Sequence, residues 1–206
     1  MDKLPVFAIE RHRLTTDGEG VTTLVGAYGC PLRCKYCLNP HAWNPKTLGK
    51  CRLMTAEELY DIVKIDDLYF KATGGGITFG GGESLLHAEF IKEFRGVCGR
   101  DWCITAETSL NVPTEKLEAA LEAADSFIVD VKDMNSGNYQ QYTGRSNEQV
   151  LANLRVLAEV LEEKKVRIRI PRIPRYNQEE NIKKSVEMVR EMGFTDIEVF
   201  PYVIRE

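Results

Sequence analysis

Six short strand patterns alternate with helical patterns along this chain of 206 residues, and the alternation limits the folds that the chain can adopt. Runs of β-branched and aromatic residues predict strands at 21–27, 77–79, 102–107, 127–131, 166–170 and 197–202. Apolar positions three and four residues apart predict helices over about 55–70, 88–98, 115–124, 150–161 and 179–192. Helices that connect successive strands produce a parallel sheet with right-handed crossovers, so we expect an α/β fold. Residues 1–20 are polar and glycine-bearing, and the first predicted strand begins after them.

Charged residues inside two of these strands indicate how the sheet is shaped. In the fifth strand the apolar residues share one face, so Arg167 and Arg169 share the other. In the fourth strand Asp130 and Lys132 lie opposite the apolar residues in the same way. A closed, packed barrel would bury these charges without partners at a prohibitive cost. We therefore expect a partial (β/α)6 barrel of parallel strands, similar to part of a TIM barrel, with a polar lumen.

Composition limits the size and location of the protein. A length of 206 residues with 43% hydrophobic and 28% charged residues predicts one domain over 1–206 with an ordinary core. No apolar run is long enough to span a membrane, and the N-terminus lacks the pattern of a signal peptide, so we expect a cytoplasmic protein. The net charge of −4 provides no general attraction for nucleic acid.

Three cysteines lie within eight residues of a loop over 28–40, namely Cys30, Cys34 and Cys37. This spacing allows one short loop to surround a single inorganic centre. Four-iron clusters normally take four thiolates, and the next cysteine is Cys51, so one iron would remain open. A structural zinc ion held by the three cysteines and His41 is an alternative. A disulfide is disfavoured because three neighbouring cysteines cannot all pair.

Unusual motifs follow the predicted strands at their carboxyl ends, where ligands bind in parallel α/β folds. Gly80–Glu83 follows the second strand, and its glycines predict either a tight turn or a close approach of backbone to a ligand. Glu107 ends the third strand and Asp130 the fourth, followed closely by Lys132. These three charged residues could bind a ligand or form a structural ion-pair network.

The cysteine motif, with Tyr36 before its last cysteine, resembles the cluster loop of the radical S-adenosylmethionine (radical SAM) superfamily. The longer string over 29–40, followed by Trp43, is most similar to pyruvate formate-lyase activating enzymes. The order of cysteine loop, helix and Gly81-Gly82-Glu83 strengthens the resemblance, which covers nearly the whole chain.

This resemblance implies an oxidoreductase activity and two cofactors. The three cysteines would hold a 4Fe–4S cluster whose open iron is chelated by the methionine part of S-adenosylmethionine. Reductive cleavage of that cofactor would generate a glycyl radical on a partner glycyl radical enzyme under anaerobic conditions, with flavodoxin or a similar protein as electron donor. No protein side chain is expected to act as a catalytic acid or base.

The resemblance also implies a set of cofactor-binding residues. Gly81, Gly82 and Glu83 would meet the amino group of S-adenosylmethionine. The complete set is Tyr36, Gly81, Gly82, Glu83, Glu107, Thr108, Asp130, Lys132, Arg169 and Tyr202. Glu107 and Asp130 are also expected to hold a monovalent cation, Na+ or K+.

Some residues depart from the family's usual pattern. Glu19, Thr22, Leu38 and Val203 stand where relatives commonly have other residues, so the target enzyme could differ. Two other functions remain open. One is a radical SAM enzyme that modifies a small molecule or a peptide product, and the other is a zinc-stabilised binding module. We expect a monomer that binds neither nucleic acid nor membranes, and we expect Arg172 and Arg175 to be either ligand contacts or solvated loop charges.

Overall fold

The computed structural model describes residues 2–14 and 16–202, and these residues form one eight-stranded sheet with helices between the strands. In chain order the elements are β1 (Leu4–Leu14), β2 (Val21–Ala27), α1 (Pro45–Leu48), β3 (Arg52–Met54), α2 (Ala56–Val63), α3 (Asp67–Thr73), β4 (Gly76–Gly81), α4 (Ala88–Cys98), β5 (Cys103–Thr108), α5 (Thr114–Leu121), β6 (Ser126–Asp130), α6 (Ser136–Thr143), α7 (Glu148–Ala158), β7 (Lys165–Arg172), α8 (Glu179–Glu191) and β8 (Asp196–Pro201). Short 3-10 turns lie at Pro40–Ala42, Lys64–Asp66 and Ser84–His87.

The strand order is β3-β1-β2-β4-β5-β6-β7-β8. The six predicted strands, β2 and β4 to β8, pair in parallel and in chain order, which confirms the α/β prediction. In the described part of the chain β3 and β8 are the two edges of the sheet, so the curved sheet is an open, partial barrel. No helix in these residues is both long enough and apolar enough to cross a membrane.

Side-chain direction along the parallel strands separates a packed outer face from a polar inner face. Ile168 and Ile170 are fully buried on β7, while Arg169 points to the opposite face and pairs with acidic residues. Phe127 and Val129 are buried in the same way on β6. The prediction of a polar lumen is therefore confirmed at these strands.

The sequence did not predict β1, which pairs antiparallel with both β2 and β3 and makes the sheet mixed. Only its first half carries the alternation of a strand, with Leu4 and Val6 buried. Its second half is largely charged and mostly exposed, and the register shifts between Glu10 and Arg13. A sheet that continues beyond the core needs no apolar alternation, so this half gives no strand signal.

The helix expected over 55–70 is two helices. α2 begins with a capping box between Thr55 and Glu58, and the 3-10 turn Lys64–Asp66 separates it from α3. The turn places the fully buried carboxylate of Asp66 against β1, where Arg11 donates hydrogen bonds of 2.6 and 2.5 Å to it. Two further short helices, α1 and α6, were not predicted.

Candidate functional site

The carboxyl ends of the parallel strands surround a cavity of about 460 Å³. All but one of the predicted site residues line it, namely Cys30, Cys34, Cys37, Gly81, Gly82, Glu83, Glu107, Thr108, Asp130, Lys132, Arg169 and Tyr202. The exception is Tyr36, whose ring packs against Tyr142 and Tyr176 at 6.3 and 5.8 Å between ring centroids. The hydroxyl of Tyr202 donates a hydrogen bond of 2.5 Å to the carbonyl of Tyr36, so Tyr36 supports the cavity from outside.

The cysteine loop leaves β2 and is held to its neighbours by backbone hydrogen bonds. The amide of Glu83 donates to the carbonyl of Gly29 at 2.7 Å, and the amide of Arg33 donates to the carbonyl of Thr143 at 2.9 Å. The loop is therefore fastened to the end of β4 on one side and to the end of α6 on the other. These bonds are made by main-chain atoms, which the cysteine spacing alone does not reveal.

The three thiols of this loop are free and half-buried. Burial raises the pKa of Cys30 to about 12 and that of Cys34 to about 11. A thiolate at either position therefore needs a compensating positive charge, such as that of bound metal ions. Among the described residues no three His, Cys, Asp or Glu side chains form a group that could hold a single metal ion. All three thiols line the cavity, and the zinc alternative stays open at this point.

Gly82 explains part of the glycine run after β4. A Cβ atom at this position would lie 2.2 Å from the carbonyl oxygen of Gly29 and 2.6 Å from that of Ala27. Only glycine allows the end of β4 to contact the cysteine loop this closely. The preceding Gly81 has a φ of 82°, which also favours glycine. The glycines thus meet a structural demand of the loop as well as lining the cavity.

Glu83 joins the ends of β4 and β5. Its carboxylate is 1% exposed. One oxygen accepts hydrogen bonds from the hydroxyl of Thr108 at 2.5 Å and from the amide of Leu85 at 3.2 Å. The other accepts from the amide and hydroxyl of Ser109 at 2.9 and 2.6 Å. Burial raises the pKa of Glu83 despite these bonds. Ser109 was not among the predicted site residues, although it follows Thr108 directly.

Arg169 connects two carboxylates on the inner face of the sheet. Its guanidinium donates to Asp130 at 2.7 Å and to Glu107, and the ammonium of Lys132 donates to the second oxygen of Asp130 at 2.9 Å. Burial alone would raise the pKa of Asp130, but Lys132 and Arg169 outweigh it and lower the pKa to about 2. Burial raises the pKa of Glu107. Both carboxylates are thus engaged by these two cations, and the cation site expected at Glu107 and Asp130 stays a prediction.

The structure adds a second charged group that the sequence did not identify as part of the site. Glu10, Arg13 and Asp17 line the cavity from β1 and the turn after it. Arg13 donates to the carboxylate of Asp17 at 2.5 Å, and Asp17 is 5% exposed. The sequence did not identify this group because the charged second half of β1, which carries Glu10 and Arg13, has no strand pattern. Val203, one of the departures from the family pattern, lies outside the described residues.

Comparison with protein families identifies the part of the chain that carries these loops. The family described as Radical SAM superfamily matches residues 24–189, which is most of the chain and includes the cysteine loop and the inner charges. The chain belongs to the radical SAM superfamily. This confirms the resemblance drawn from the cysteine motif and the partial-barrel expectation.

Curated proteins similar to this radical SAM chain match nearly all of it. The pyruvate formate-lyase-activating enzyme of Clostridium pasteurianum is 31% identical over 199 residues, covering 96% of this chain and 81% of that protein. The pyruvate formate-lyase 2-activating enzyme of Escherichia coli (strain K12) is 29% identical over 231 residues, covering 98% and 78%. The (2S)-3-sulfopropanediol dehydratase activating enzyme of Klebsiella oxytoca is 28% identical over 249 residues, covering 91% and 78%.

Two solved structures show the same fold at low sequence identity. Streptococcus suis SuiB bound to S-adenosylmethionine has a TM-score of 0.66 at 17% identity, covering 85% of this radical SAM chain and 39% of SuiB. Native anSMEcpe with bound AdoMet has a TM-score of 0.60 at 17% identity, covering 84% and 49%. This chain therefore spans less than half of either structure, and the likeness concerns the fold alone.

Membership of the radical SAM superfamily implies a 4Fe–4S cluster and S-adenosylmethionine, and the donors in the cavity fit both. Three free thiols, with no fourth cysteine lining the cavity, match a cluster with one open iron. The remaining cysteines, Cys51, Cys98 and Cys103, lie outside the cavity lining. Charged groups of both signs at Asp130, Lys132 and Arg169 match an amino acid that carries an amino and a carboxylate group.

Proposed function

We propose that this protein is an activating enzyme that generates a glycyl radical on a partner glycyl radical enzyme such as pyruvate formate-lyase. The observation that carries the proposal is one cavity with three thiols from a single loop facing charged groups from the parallel strands. The alignments with the activating enzymes described above each cover more than 90% of this chain, which supports this class of substrate.

Cys30, Cys34 and Cys37 are the proposed ligands of the cluster. When bound, a reduced cluster and S-adenosylmethionine would supply one-electron cleavage of a carbon–sulfur bond and, through it, removal of a hydrogen atom from a glycine α-carbon. The protein's own contribution is to orient these groups and to exclude water from the half-enclosed cavity.

The polar residues of the cavity have separate proposed tasks. The backbone of Gly81 and Gly82 and the carboxylate of Glu83 provide the acceptor side for an amino group. Because Glu83 is held by Thr108 and Ser109, its position is set before any ligand binds. Lys132 and Arg169 provide positive charge for a carboxylate or ribose oxygen.

The remaining predicted residues complete the proposal. Glu107 and Asp130 keep the two cations in place, and a monovalent cation beside them is part of the proposal. Tyr36 and Tyr202 brace the cysteine loop through their hydrogen bond. We also propose that the chain acts as a cytoplasmic monomer of one domain, reduced by flavodoxin or a similar donor.

Electron paramagnetic resonance tests the proposed activity directly. The protein is purified without oxygen, its cluster is reconstituted, and it is mixed with S-adenosylmethionine, a reductant and pyruvate formate-lyase or the glycyl radical enzyme encoded beside it. We expect a glycine-centred doublet. Cys37→Ser should abolish the doublet and lower the iron content, whereas the matched variant Cys51→Ser, which lies outside the cavity lining, should retain both.

Two outcomes would contradict the proposal. Absence of the doublet with such partners, together with turnover of a small molecule or a peptide, would favour the other radical SAM activity. A colourless protein that contains zinc and no iron after anaerobic purification would favour the binding module instead.

A further inference from the structure

We propose that the outer surface of the cysteine loop docks an acidic one-electron carrier protein. This inference rests on the proposed function, because it concerns the supply of electrons to the same site. We define the basic face as the exposed side chains of Arg33, Lys35, Arg145 and Arg175 around the loop.

The distribution of charge along the sequence is the first observation behind this inference. The chain has 31 acidic residues and a net charge of −4. No acidic residue occurs in 21–55, 134–147 or 170–178, and each of these segments contains basic residues. Three stretches without any negative charge are unexpected in an acidic protein, unless they share a surface with a common use.

These three stretches meet in space around the cysteine loop. The amide of Lys35 donates to the carbonyl of Tyr142 at 3.1 Å, and the guanidinium of Arg145 donates to the carbonyl of Pro31 at 3.2 Å. The ring of Tyr176, next to Arg175, lies 5.8 Å from the ring of Tyr36. The four cations of the basic face therefore surround one loop.

The charges of the basic face are not neutralised within the protein. In the part of the chain that the structure describes, none of its four side chains forms an ion pair. Arg33 is held in place by hydrogen bonds of 2.7 Å to the carbonyls of Cys30 and Leu32 and by the ring of Trp43 at 5.1 Å. An acidic partner would supply the missing counter-charges.

The position of the basic face distinguishes an electron donor from the radical substrate. A glycine that loses hydrogen has to reach into the cavity, and none of the four cations lines that cavity. Lys35 follows Cys34 directly in the chain, so a partner bound on this face lies next to the cysteine loop without entering the cavity. Interfaces between redox partners are typically small, and they depend on complementary charge for fast association.

The step that this face would serve is a single electron transfer. The prosthetic group of the carrier, a reduced flavin or iron–sulfur centre, is oxidised by one electron, and the cluster of this protein is reduced by one. No bond forms or breaks, and no proton or leaving group moves.

Binding of a bacterial flavodoxin, used as the probe, tests the inference. The variant Lys35→Glu/Arg175→Glu removes two charges whose side chains make no hydrogen bond within the described residues. We expect its dissociation constant for oxidised flavodoxin at low salt to rise by about tenfold or more, with a weaker dependence on salt. The neutral variant Lys35→Gln/Arg175→Gln should give a smaller increase. The matched control Arg100→Glu/Arg190→Glu, at the opposite ends of the strands, should bind as the wild type does.

Electron delivery separates this inference from the proposed function. With the charge-reversed variant, flavodoxin-driven cleavage of S-adenosylmethionine should slow by about tenfold, whereas cleavage driven by dithionite should stay within about twofold of wild type. Unchanged flavodoxin affinity in the charge-reversed variant would overturn the inference. The inference would also be overturned if the charge-reversed variant bound flavodoxin normally but no longer bound a transfer RNA or the glycyl radical enzyme that the wild type binds. If dithionite supports no cleavage by the wild type, the proposed function fails, and the flavodoxin affinities still decide whether this face docks an acidic carrier.

Discussion

Arg169 lies between two carboxylates on the inner face of the barrel, and it shows how single residues set the charge of the cavity. Its ion pairs with Asp130 and Glu107 involve side chains that are about one fifth exposed. Removing one partner of such a pair strongly destabilises the folded protein, because the other charge remains buried. The network therefore contributes to stability as well as to the proposed binding of the cofactor.

The lowered pKa of Asp130 predicts a pH-dependent contribution to stability. Its pKa falls from 3.8 to about 2 in the folded protein, so the charged form is favoured by folding. That contribution is complete above the unfolded pKa and is lost as the pH falls from about 4 towards 2. Urea unfolding should show Asp130→Asn to be less stable than wild type by about 2 kcal/mol at pH 7, and the difference should shrink towards pH 2.

A surface carboxylate provides the control for this prediction. Asp61 pairs with Lys64 at 2.6 Å, but its side chain is 65% exposed. Asp61→Asn should change the free energy of unfolding by less than about 0.5 kcal/mol at every pH, because exposed ion pairs contribute little. An effect of Asp130→Asn that did not vary with pH would contradict the assignment.

At the scale of elements, the contact between the cysteine loop and the end of β4 is the feature that shapes the site. Two hydrogen bonds join the amides of Gly82 and Glu83 to the carbonyls of Ala27 and Gly29. The contact is possible only because position 82 has no side chain. The cysteine loop thus depends on the β4 loop for its position.

Gly82→Ala is expected to separate these two loops. The added Cβ meets backbone atoms that cannot rotate away, so we expect a loss of about 1–3 kcal/mol in the free energy of unfolding. The reconstituted variant should also retain less iron per chain. The matched change Gly96→Ala in α4 meets nothing within 4 Å and should stabilise the protein by about 0.5–1 kcal/mol. Similar results for both variants would mean that the close approach at Gly82 has no energetic importance.

At the scale of the whole molecule, the open barrel brings residues from all parts of the chain to one cavity. Glu10 comes from the first strand, and Phe200 and Tyr202 come from the last strand and the residues after it. A ligand that bridges these strands should therefore stabilise the complete fold.

Three large apolar side chains lie on the surface: Ile65, Leu68 and Tyr69 are 67%, 75% and 54% exposed. Analytical ultracentrifugation tests the monomer prediction, and we expect a single monomeric species.

Thermal unfolding of the cluster-loaded protein tests whether a ligand that bridges the strands stabilises the complete fold. S-adenosylmethionine at 100 times its dissociation constant should add about 2.7 kcal/mol of stability and raise Tm by several degrees. Lys132→Met should reduce the rise at the same concentration, because it removes a positive charge from the cavity. Lys183→Met, on the exposed face of α8, is the control and should respond as wild type does. An equal rise in Lys132→Met would show that Lys132 does not contact the ligand.

Much of the fold and of the candidate site was predictable because the signals are local. The β-branched runs at the six parallel strands and the alternation of Arg169 with Ile168 and Ile170 are visible within a few residues. The thiols of Cys30 and Cys34 lie in one loop, so their proximity follows from covalent spacing. The second half of β1 could not be predicted, since it is charged and paired to β2 outside the apolar core, whereas the apolar run over 4–9 was a strand signal that our prediction missed.

The sequence by itself determined the order of the six parallel strands, the family and the loops that carry chemistry, because hydrophobic periodicity and cysteine spacing are properties of short segments. Only the tertiary structure decided that Arg13 and Asp17 line the cavity and that Tyr36 does not. It also decided that Thr108 and Ser109 hold Glu83. Contacts between residues far apart in the chain depend on sheet register and curvature, which arise from the packing of the complete molecule.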